Sequence, residues 1–348
     1  MGTILATVHQ GIAAAVEQTA PKPMGLVPFF ALAPASGTRY INLDKRFSKA
    51  RSAGFVNPTA VADGTEKLAF TREPFLLPTI QDLQSVTGVD LEQLGIGEWD
   101  NATERSLDRF DNYVFKMHSD QRNMVDVKVG ISAIEVAFDG QLTVLGKGEN
   151  RVLDFGRPAD LTIDTGGTDV TQYWDDAAAE RETHLTDALE IMGSYGMTGD
   201  VMIGRNSTIK LFVRDAKILE RLDNRRTELG GFVFDSMLAT QGMVYYGDFD
   251  GVKIFGFDGN YTYTAEDGTL TNAKAVPANK VVIIASNNNN VLQPAVTPIL
   301  TGGEVTIDGT EFMTVVTPNK RDVEVEAMQT IAPLEAGVGS FCTLQVLA

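Results

Sequence analysis

The sequence has few of the residues on which covalent crosslinks and metal sites depend. Its 348 residues include one cysteine, Cys342, and three histidines. A single cysteine has no intrachain partner, so a disulfide framework is excluded and a reducing compartment is expected. His9, His118 and His184 lie far apart and offer no zinc-ligand spacing, so we expect no metal or other cofactor.

Basic residues are also in short supply. Lys and Arg number 29 against 46 Asp and Glu, which gives a net charge of −17 at pH 7. A chain this acidic is poorly suited to bind phosphate backbones or anionic membranes tightly. Self-association, neutral ligands and cationic partners remain as the expected forms of binding.

Long hydrophobic runs are absent as well. No apolar run approaches the roughly 18 residues that span a membrane, and the first ten residues lack the basic opening of a secretion signal. We therefore expect a soluble protein that is made in the cytoplasm. Its length and its 43% of hydrophobic residues allow a large core and two or more subdomains.

One long amphipathic helix is the strongest local prediction. Apolar residues follow three-four spacing from Leu107 to Phe138, with Gln121 as the one polar interruption, and Asp139-Gly140 supplies a stop. Acidic residues crowd the beginning of this segment, where the helix dipole is positive. They are Glu98, Asp100, Glu104, Asp108 and Asp111.

Two hairpins flank the helix in sequence. Alternating segments at 40–43 and 67–75 predict an extended hairpin, which is marginal alone and needs a surface to lie on. A second hairpin is predicted for 141–145 with 151–155. Basic residues cluster in the first hairpin, either as a contact surface or as a solvated loop. They are Arg39, Lys45, Arg46, Lys49 and Arg51.

The remaining segments give weaker predictions. Residues 1–38 are punctuated by proline and lack a core of their own, so we expect an arm that is ordered by neighbouring molecules. Helices are predicted from Trp174 to about Tyr195 and from Thr208 to Asp223, with Ser207 as the cap. A buried strand is predicted for 200–204, and a β-rich region for 231–317.

The closing stretch predicts two strands. Apolar and polar residues alternate from Val323 and again from Phe341. Pro333 cannot donate to a ladder, which indicates an edge or a bulge. An ordinary terminal hairpin is one interpretation, and a pair of strands that closes a distant core is the other.

A set of short motifs occurs in a fixed order along the chain. They are Gly140–Gly146, Asp154-Phe-Gly-Arg157, Gly166-Gly-Thr168 with Trp174 shortly after, Leu222–Arg226, Tyr246-Gly-Asp248, and Gln329-x-x-Ala-Pro-Leu334 before the final strand. In this order they resemble the lambda-type head proteins of the capsid protein E family. Each motif is unspecific alone, and their collinear order carries the resemblance.

The resemblance implies an α+β chain with the Hong Kong 97 capsid fold. The implied segments are an arm (1–38), an extended E-loop hairpin (39–84), a peripheral domain with the long spine helix (85–199), an axial domain (200–317) and strands that return to the peripheral domain (318–348). The implied function is that of a major capsid protein, which forms hexamers and pentamers around double-stranded DNA without reading its sequence. Arg225 and Arg226 join the candidate contacts between subunits.

The same resemblance implies partners and a location. We expect a separate scaffolding protein, a portal and a decoration protein, no membrane partner and no enzymatic activity. The protein is expected in the virion, and in the host cytoplasm before assembly. We further hypothesise that the basic hairpin cluster docks on the acidic start of the spine helix in an adjacent copy.

Two other functions remain open from the sequence. An encapsulin compartment shares the implied fold but encloses protein cargo. A retroviral-type aspartic protease is the alternative from another class, because Asp164-Thr-Gly166 and Gly204-Arg-Asn206 match its short motifs. In that case Asp164 would be the catalytic residue.

Overall fold

The computed structural model describes residues 25–46, 70–87, 89–90, 104–146, 149–167, 169–222, 242–264, 269–296, 298–301, 304–307, 313–318 and 323–348. The helices with described bounds are α1 (Glu104–Asp139), α2 (Arg181–Ser194), α3 (Asn206–Val213) and α4 (Ala216–Arg221). The strands are β1 (Ala31–Leu32), β2 (Tyr40–Arg46), β3 (Phe70–Leu76), β4 (Thr79–Val86), β5 (Gln141–Gly146), β6 (Glu149–Asp154), β7 (Thr162–Asp164), β8 (Val201–Gly204), β9 (Val244–Phe249), β10 (Val252–Gly256), β11 (Asn260–Thr264), β12 (Leu270–Lys274), β13 (Lys280–Ile284), β14 (Val291–Ala295), β15 (Pro298–Thr301), β16 (Glu304–Ile307), β17 (Met313–Pro318), β18 (Val323–Leu334) and β19 (Phe341–Gln345).

The predicted long helix is confirmed as α1, which is 36 residues long. It ends at Asp139, and the next residue, Gly140, has a φ of +67°, in the left-handed region that glycine adopts without penalty. Within the part of the chain that the structure describes, no helix is long and apolar enough to span a membrane.

A six-stranded sheet forms the centre of the molecule, in the order β7-β19-β13-β8-β10-β9. Val282 and Ile284 of β13 face a core shared with the end of α1. Val281 and Ile283 face a second core, which α2, α3 and α4 complete. Because both faces of β13 are covered, its sequence reads as an unbroken apolar run rather than an alternating one.

A second sheet has β18 at its centre. β4 pairs along one side of β18, while β17 and β14 pair along the other, and β1 pairs with β14. One face packs on α1, where Val325 meets Val114 and Met117. Gln121 donates to Val325 O at 2.9 Å, so this polar interruption of the helix ties α1 to the strand.

The two closing strands are present, but they do not form a terminal hairpin. β18 and β19 lie in different sheets and are joined by residues 335–340. The interpretation that the closing stretch completes a distant core is therefore confirmed. Pro333 pairs with Leu292 of β14 and lies beyond Thr330, where the pairing with β4 ends. A missing N–H is tolerated there because one side of β18 has lost its partner.

The expectation that all of residues 1–38 depend on neighbouring molecules is wrong for residues 25–36. Leu26, Phe29 and Phe30 are buried in the core beside the six-stranded sheet. Phe30 lies 5.6 Å from Phe341 between ring centroids, and Ala31 N donates to Asn290 O at 2.9 Å. Residues 1–24 lie outside the described residues.

Two predicted helices have different bounds in the structure. α2 begins at Arg181, because Trp174 is buried in the second core within a segment of turns. The helix predicted for 208–223 is divided into α3 and α4, because the Asp215 side chain accepts from Lys217 N and starts a new helix. Ser207 is not a cap, since α3 begins at Asn206. The strand predicted for 200–204 is confirmed as β8, and the predicted β-rich region contains β9 to β16 and most of β17 among the described residues.

A buried arginine connects the end of α1 to the closing stretch. Arg157 NH2 donates to Val136 O at 2.8 Å and to Ala137 O at 2.9 Å. Both carbonyls belong to the last turn of α1, where C=O groups lose their partners inside the helix; Val136 O also accepts from Gly140 N, directly after the helix, at 3.0 Å. Arg157 NH1 donates to Thr343 Oγ1 at 3.0 Å, and Thr343 in turn donates to Phe138 O.

Glu335 balances the charge of this arginine. Arg157 Nε lies 3.1 Å from both Glu335 oxygens, and NH2 lies 2.9 Å from Oε2. The two side chains are only 4% and 5% exposed. Burial raises the pKa of Glu335, while the Arg157 guanidinium acts in the opposite direction. The Arg157–Glu335 pair thus joins the end of α1 to the closing stretch through buried hydrogen bonds.

We predict that Gly140→Ala destabilises the subunit. A Cβ at Gly140 would lie 2.9 Å from Arg157 Nε and would also occupy a left-handed backbone, which costs about 1–2 kcal/mol for other residues. Gly196→Ala is the matched control, because Gly196 also has a positive φ but open space around it. Urea unfolding followed by circular dichroism should show a larger loss of unfolding free energy for Gly140→Ala than for Gly196→Ala. Equal losses would show that the contact with Arg157 is unimportant.

We also predict that Arg157→Met lowers the free energy of unfolding by about 3–5 kcal/mol, since it leaves Glu335 buried without its counter-charge. The double variant Arg157→Met/Glu335→Leu should recover at least half of this loss, because no orphaned carboxylate remains. The same urea titration measures both. A double variant as unstable as the single one would contradict the electrostatic explanation.

Candidate assembly surface

Among the described residues, the contacts that attach the first hairpin to the rest of the protein lie at its base. β2 and β3 form a two-stranded sheet that is separate from the larger sheets, in a register that pairs Tyr40 with Leu76. This confirms the predicted hairpin. Phe75 is buried and stacks on Phe155 with ring centroids 5.9 Å apart. Leu77, directly after β3, is fully buried.

Arg39 closes the base of this hairpin. Its Nε and NH2 donate to Leu77 O at 3.3 and 3.1 Å, and Leu77 N donates to Arg39 O at 2.9 Å. Arg39 NH2 also pairs with Glu149 at 3.3 Å. The residues before β2 and after β3 are thus joined to each other and to β6.

Glu149 belongs to the second hairpin, whose predicted strands are confirmed as β5 and β6. Its other oxygen lies 3.5 Å from Arg151 NH2. Leu142 and Leu153 face the core from this hairpin, while Leu145 and Val152 on the opposite face are 66% and 54% exposed. The second hairpin is therefore a fixed support on which the base of the first one rests.

The structure describes some of the candidate contact residues and not others. Arg39 makes the intrachain contacts just given. Lys45 and Arg46 lie in β2, opposite Thr71 and Phe70. Glu104, Asp108 and Asp111 lie at the start of α1. The other candidates lie outside the described residues: Lys49, Arg51, Glu98, Asp100, Arg225 and Arg226.

One motif that carried the family resemblance, Gly166-Gly167 with Trp174 shortly after, lies at a packed junction. A Cβ on Gly166 would lie 2.1 Å from the Tyr173 ring, so only glycine fits beneath this aromatic side chain. Trp174, the next residue, is fully buried, and its N–H donates to Val346 O at 2.8 Å. The Gly-Gly-Thr motif and the final strand therefore meet in space.

A second junction forms around Asn206. Its backbone N–H and side-chain amide donate to Asp258 at 3.2 and 3.0 Å, and Tyr246 donates to its Oδ1 at 3.2 Å. A Cβ on Gly256 would lie 2.0 Å from that same oxygen. The Gly-Arg-Asn motif thus fixes the start of α3 against β9 and β10.

This geometry does not match the protease alternative. Asp164 lies at the end of β7, an outer strand of the six-stranded sheet, and accepts from Gly166 N at 3.2 Å in a local turn. β19 and β13 separate it from β8, the strand that leads into Arg205 and Asn206. Among the described residues, no cluster of His, Cys, Asp and Glu could hold a metal ion.

Sequence reasoning missed Glu149, Arg157 and Glu335 as structural determinants. Arg157 was visible as the last residue of the Asp-Phe-Gly-Arg motif, and Glu335 directly follows the Ala-Pro-Leu motif. The ends of two family motifs were thus the available signal. Nothing in the local pattern around Glu149 indicates that it pairs with a residue 110 positions earlier.

Comparisons with known proteins agree with this architecture. The sequence model of the phage major capsid protein E family matches residues 16–337. A prophage capsid protein of Escherichia coli CFT073 is similar at 14% identity with a TM-score of 0.67, over 97% of this chain and 98% of that one. The capsid of an empty GTA particle is similar at 12% identity with a TM-score of 0.50, over 95% and 92%.

An encapsulin from Synechococcus elongatus PCC 7942 is similar at 10% identity with a TM-score of 0.44, over 94% and 91% of the two chains, which is too weak to carry an argument. No curated protein sequence matches the chain. The fold is the mixed helix and strand fold of phage capsids, and the family match covers nearly the whole sequence. The chain therefore belongs to the phage major capsid protein E family and is a structural subunit of a viral shell.

Proposed function

We propose that this subunit assembles into the hexamers and pentamers of an icosahedral head that encloses the double-stranded DNA of a tailed phage. The observation that carries this proposal is the hairpin β2–β3, which has a buried base and whose strands, among those the structure describes, pair only with each other. A two-stranded hairpin gains its stability from other surfaces. In a shell, that surface is another copy of the chain.

The segment division proposed for the chain follows from the same idea. The E-loop hairpin (39–84) contains β2, β3 and, after Leu77 and Pro78, most of β4. The spine helix of the peripheral domain (85–199) corresponds to α1. Strands of the axial domain (200–317) pair with β19 from the closing segment (318–348), so the two domains share one continuous sheet.

The charge of the subunit suits enclosure rather than binding of DNA. With a net charge of −17, copies of the chain repel phosphate groups on balance. DNA inside such a shell is held by confinement, so it is packed and released without breaking many contacts. We propose no catalytic role for any residue. As partners we propose a separate scaffolding protein, a portal and a decoration protein.

The basic residues of the hairpin are proposed to dock on an adjacent copy. With Arg39 engaged within its own chain, the remaining residues are Lys45, Arg46, Lys49 and Arg51. Their proposed partners are Glu98, Asp100, Glu104, Asp108 and Asp111 of a neighbour. Each exposed pair contributes only about 0–1 kcal/mol, but a shell repeats the contact at every subunit.

Electron microscopy of the purified protein tests the proposed function. We expect closed particles, tubes or hexameric patches, because the hairpin surface is complementary to a second copy. Particles from phage-producing cells should contain nuclease-protected DNA, whereas a cargo compartment would contain protein. A species that sediments as a monomer at every concentration would contradict the proposal.

Charge reversal tests the docking contact. Lys45, Arg46, Lys49 and Arg51 changed together to Glu should lower particle yield at least severalfold, since attraction becomes repulsion. The control reverses four exposed basic residues elsewhere, with the same change in net charge: Lys210, Arg214, Lys217 and Lys274. Sucrose-gradient sedimentation measures the yield. Unchanged yield in the hairpin variant, or an equal loss in the control, would refute specific docking.

A further inference from the structure

The direction in which the β2–β3 hairpin projects from the rest of the protein, called the body below, depends on a few contacts at the hairpin base. Phe75 and Leu77 are buried at its base, and Ile41 packs against the same core. Farther out, β2 and β3 pair only with each other among the described strands. Among the described residues, the contacts that join the hairpin to the rest of the protein lie at this end.

Small rotations at this end produce large displacements at the other. Seven residues per strand extend about 23 Å at about 3.3 Å per residue, so a rotation of about 10° moves the far end by about 4 Å. Specific protein interfaces are packed as densely as protein interiors. A displacement of this size would remove the contacts between copies.

Apolar burial alone fixes this direction poorly. The hydrophobic effect is non-directional, so Phe75 and Leu77 hold the base in place without defining an angle. The guanidinium of Arg39 is directional, because its planar donors fit acceptors in a fixed geometry. It donates to Leu77 O through two nitrogens while one of them also meets Glu149 of β6.

We propose that Arg39 is a positioning residue, which sets the angle of the β2–β3 hairpin relative to the body and thereby the curvature at which copies join. This role rests on the proposed function. It differs from the docking role expected from the sequence, because Arg39 acts here through Leu77 and Glu149 of its own chain. Its side chain and that of Glu149 are 29% and 35% exposed, so the contact can weaken without opening the core.

Particle shape is the measurement that tests this role. Arg39→Met keeps the aliphatic stem but removes the donors, and Arg39→Lys keeps the charge but loses the planar geometry. For Arg39→Met, we expect the share of particles with the unmodified diameter to fall about threefold or more, because the variant loses a partly exposed ion pair. The fall should be smaller for Arg39→Lys. The urea midpoint of the isolated subunit should hardly change in either variant.

Arg151→Met is the matched control. Arg151 also lies beside Glu149 and is 27% exposed, and its loss changes the net charge equally, but its ion pair lies within β6 and does not include the hairpin base. Its particles should keep their diameter. Particles of Arg39→Met with unmodified size and yield would overturn the proposal, as would an equal change in shape for Arg151→Met.

The isolated subunit distinguishes failure of this inference from failure of the proposed function. If the unmodified chain forms no particles, the shell proposal fails, but the positioning role is still measured by hydrogen exchange. Amides of Tyr40–Arg46 and Phe70–Leu76 should then exchange faster in Arg39→Met than in Arg151→Met. Equal exchange rates would overturn the positioning role independently of assembly.

Discussion

A single buried guanidinium joins the end of α1 to the closing stretch, whose Thr343 lies 186 positions after the arginine itself. Arg157 donates hydrogen bonds to the last turn of α1, to Glu335 and to Thr343 of β19. The negative end of a helix favours a cation, and the same cation requires a buried carboxylate nearby. Buried ion pairs contribute little net stability but are costly to break. The interaction therefore selects one arrangement of α1 against the six-stranded sheet and disfavours others.

The body and the hairpin differ in how firmly they are held. The body has apolar cores on both faces of one sheet, with Val282 on one side and Ile283 on the other. The hairpin has a base of two buried side chains and one arginine. For the proposed hexamers and pentamers, a firmly held body with an adjustable hairpin suits a subunit that makes equivalent contacts in rings of different size.

Local patterns allowed a large part of the fold to be predicted. α1 and the two hairpins follow from three-four spacing or alternation within a short window, which is a local property of the chain. The break at Asp215 was also visible as a capping residue, but the apolar pattern on both sides favoured one continuous helix. Trp174 was predicted to begin a helix. Its burial in a segment of turns could not be predicted locally, because it depends on α2, α3 and the final strand.

Pairing over long distances could not be predicted. Nothing in Val323–Leu334 or Phe341–Gln345 indicates that the two strands enter different sheets. The resemblance to head proteins gave the family because the order of motifs is retained, but it gave no partner for Arg157 or Glu149. Of the candidate contact residues, Arg39 alone has a described side chain, and its contacts gave it a role that charge clustering did not predict.

The position of β18 has a consequence for how the chain folds. Its Thr330 side chain lies 2.8 Å from that of Thr79, a residue 251 positions away. Such high contact order slows folding, because long loops must close before the pairs form. Until then, the strand edges of β18 are open to the edges of other copies. In a cell that makes many identical chains at once, the dominant risk is mispairing during synthesis rather than unfolding afterwards.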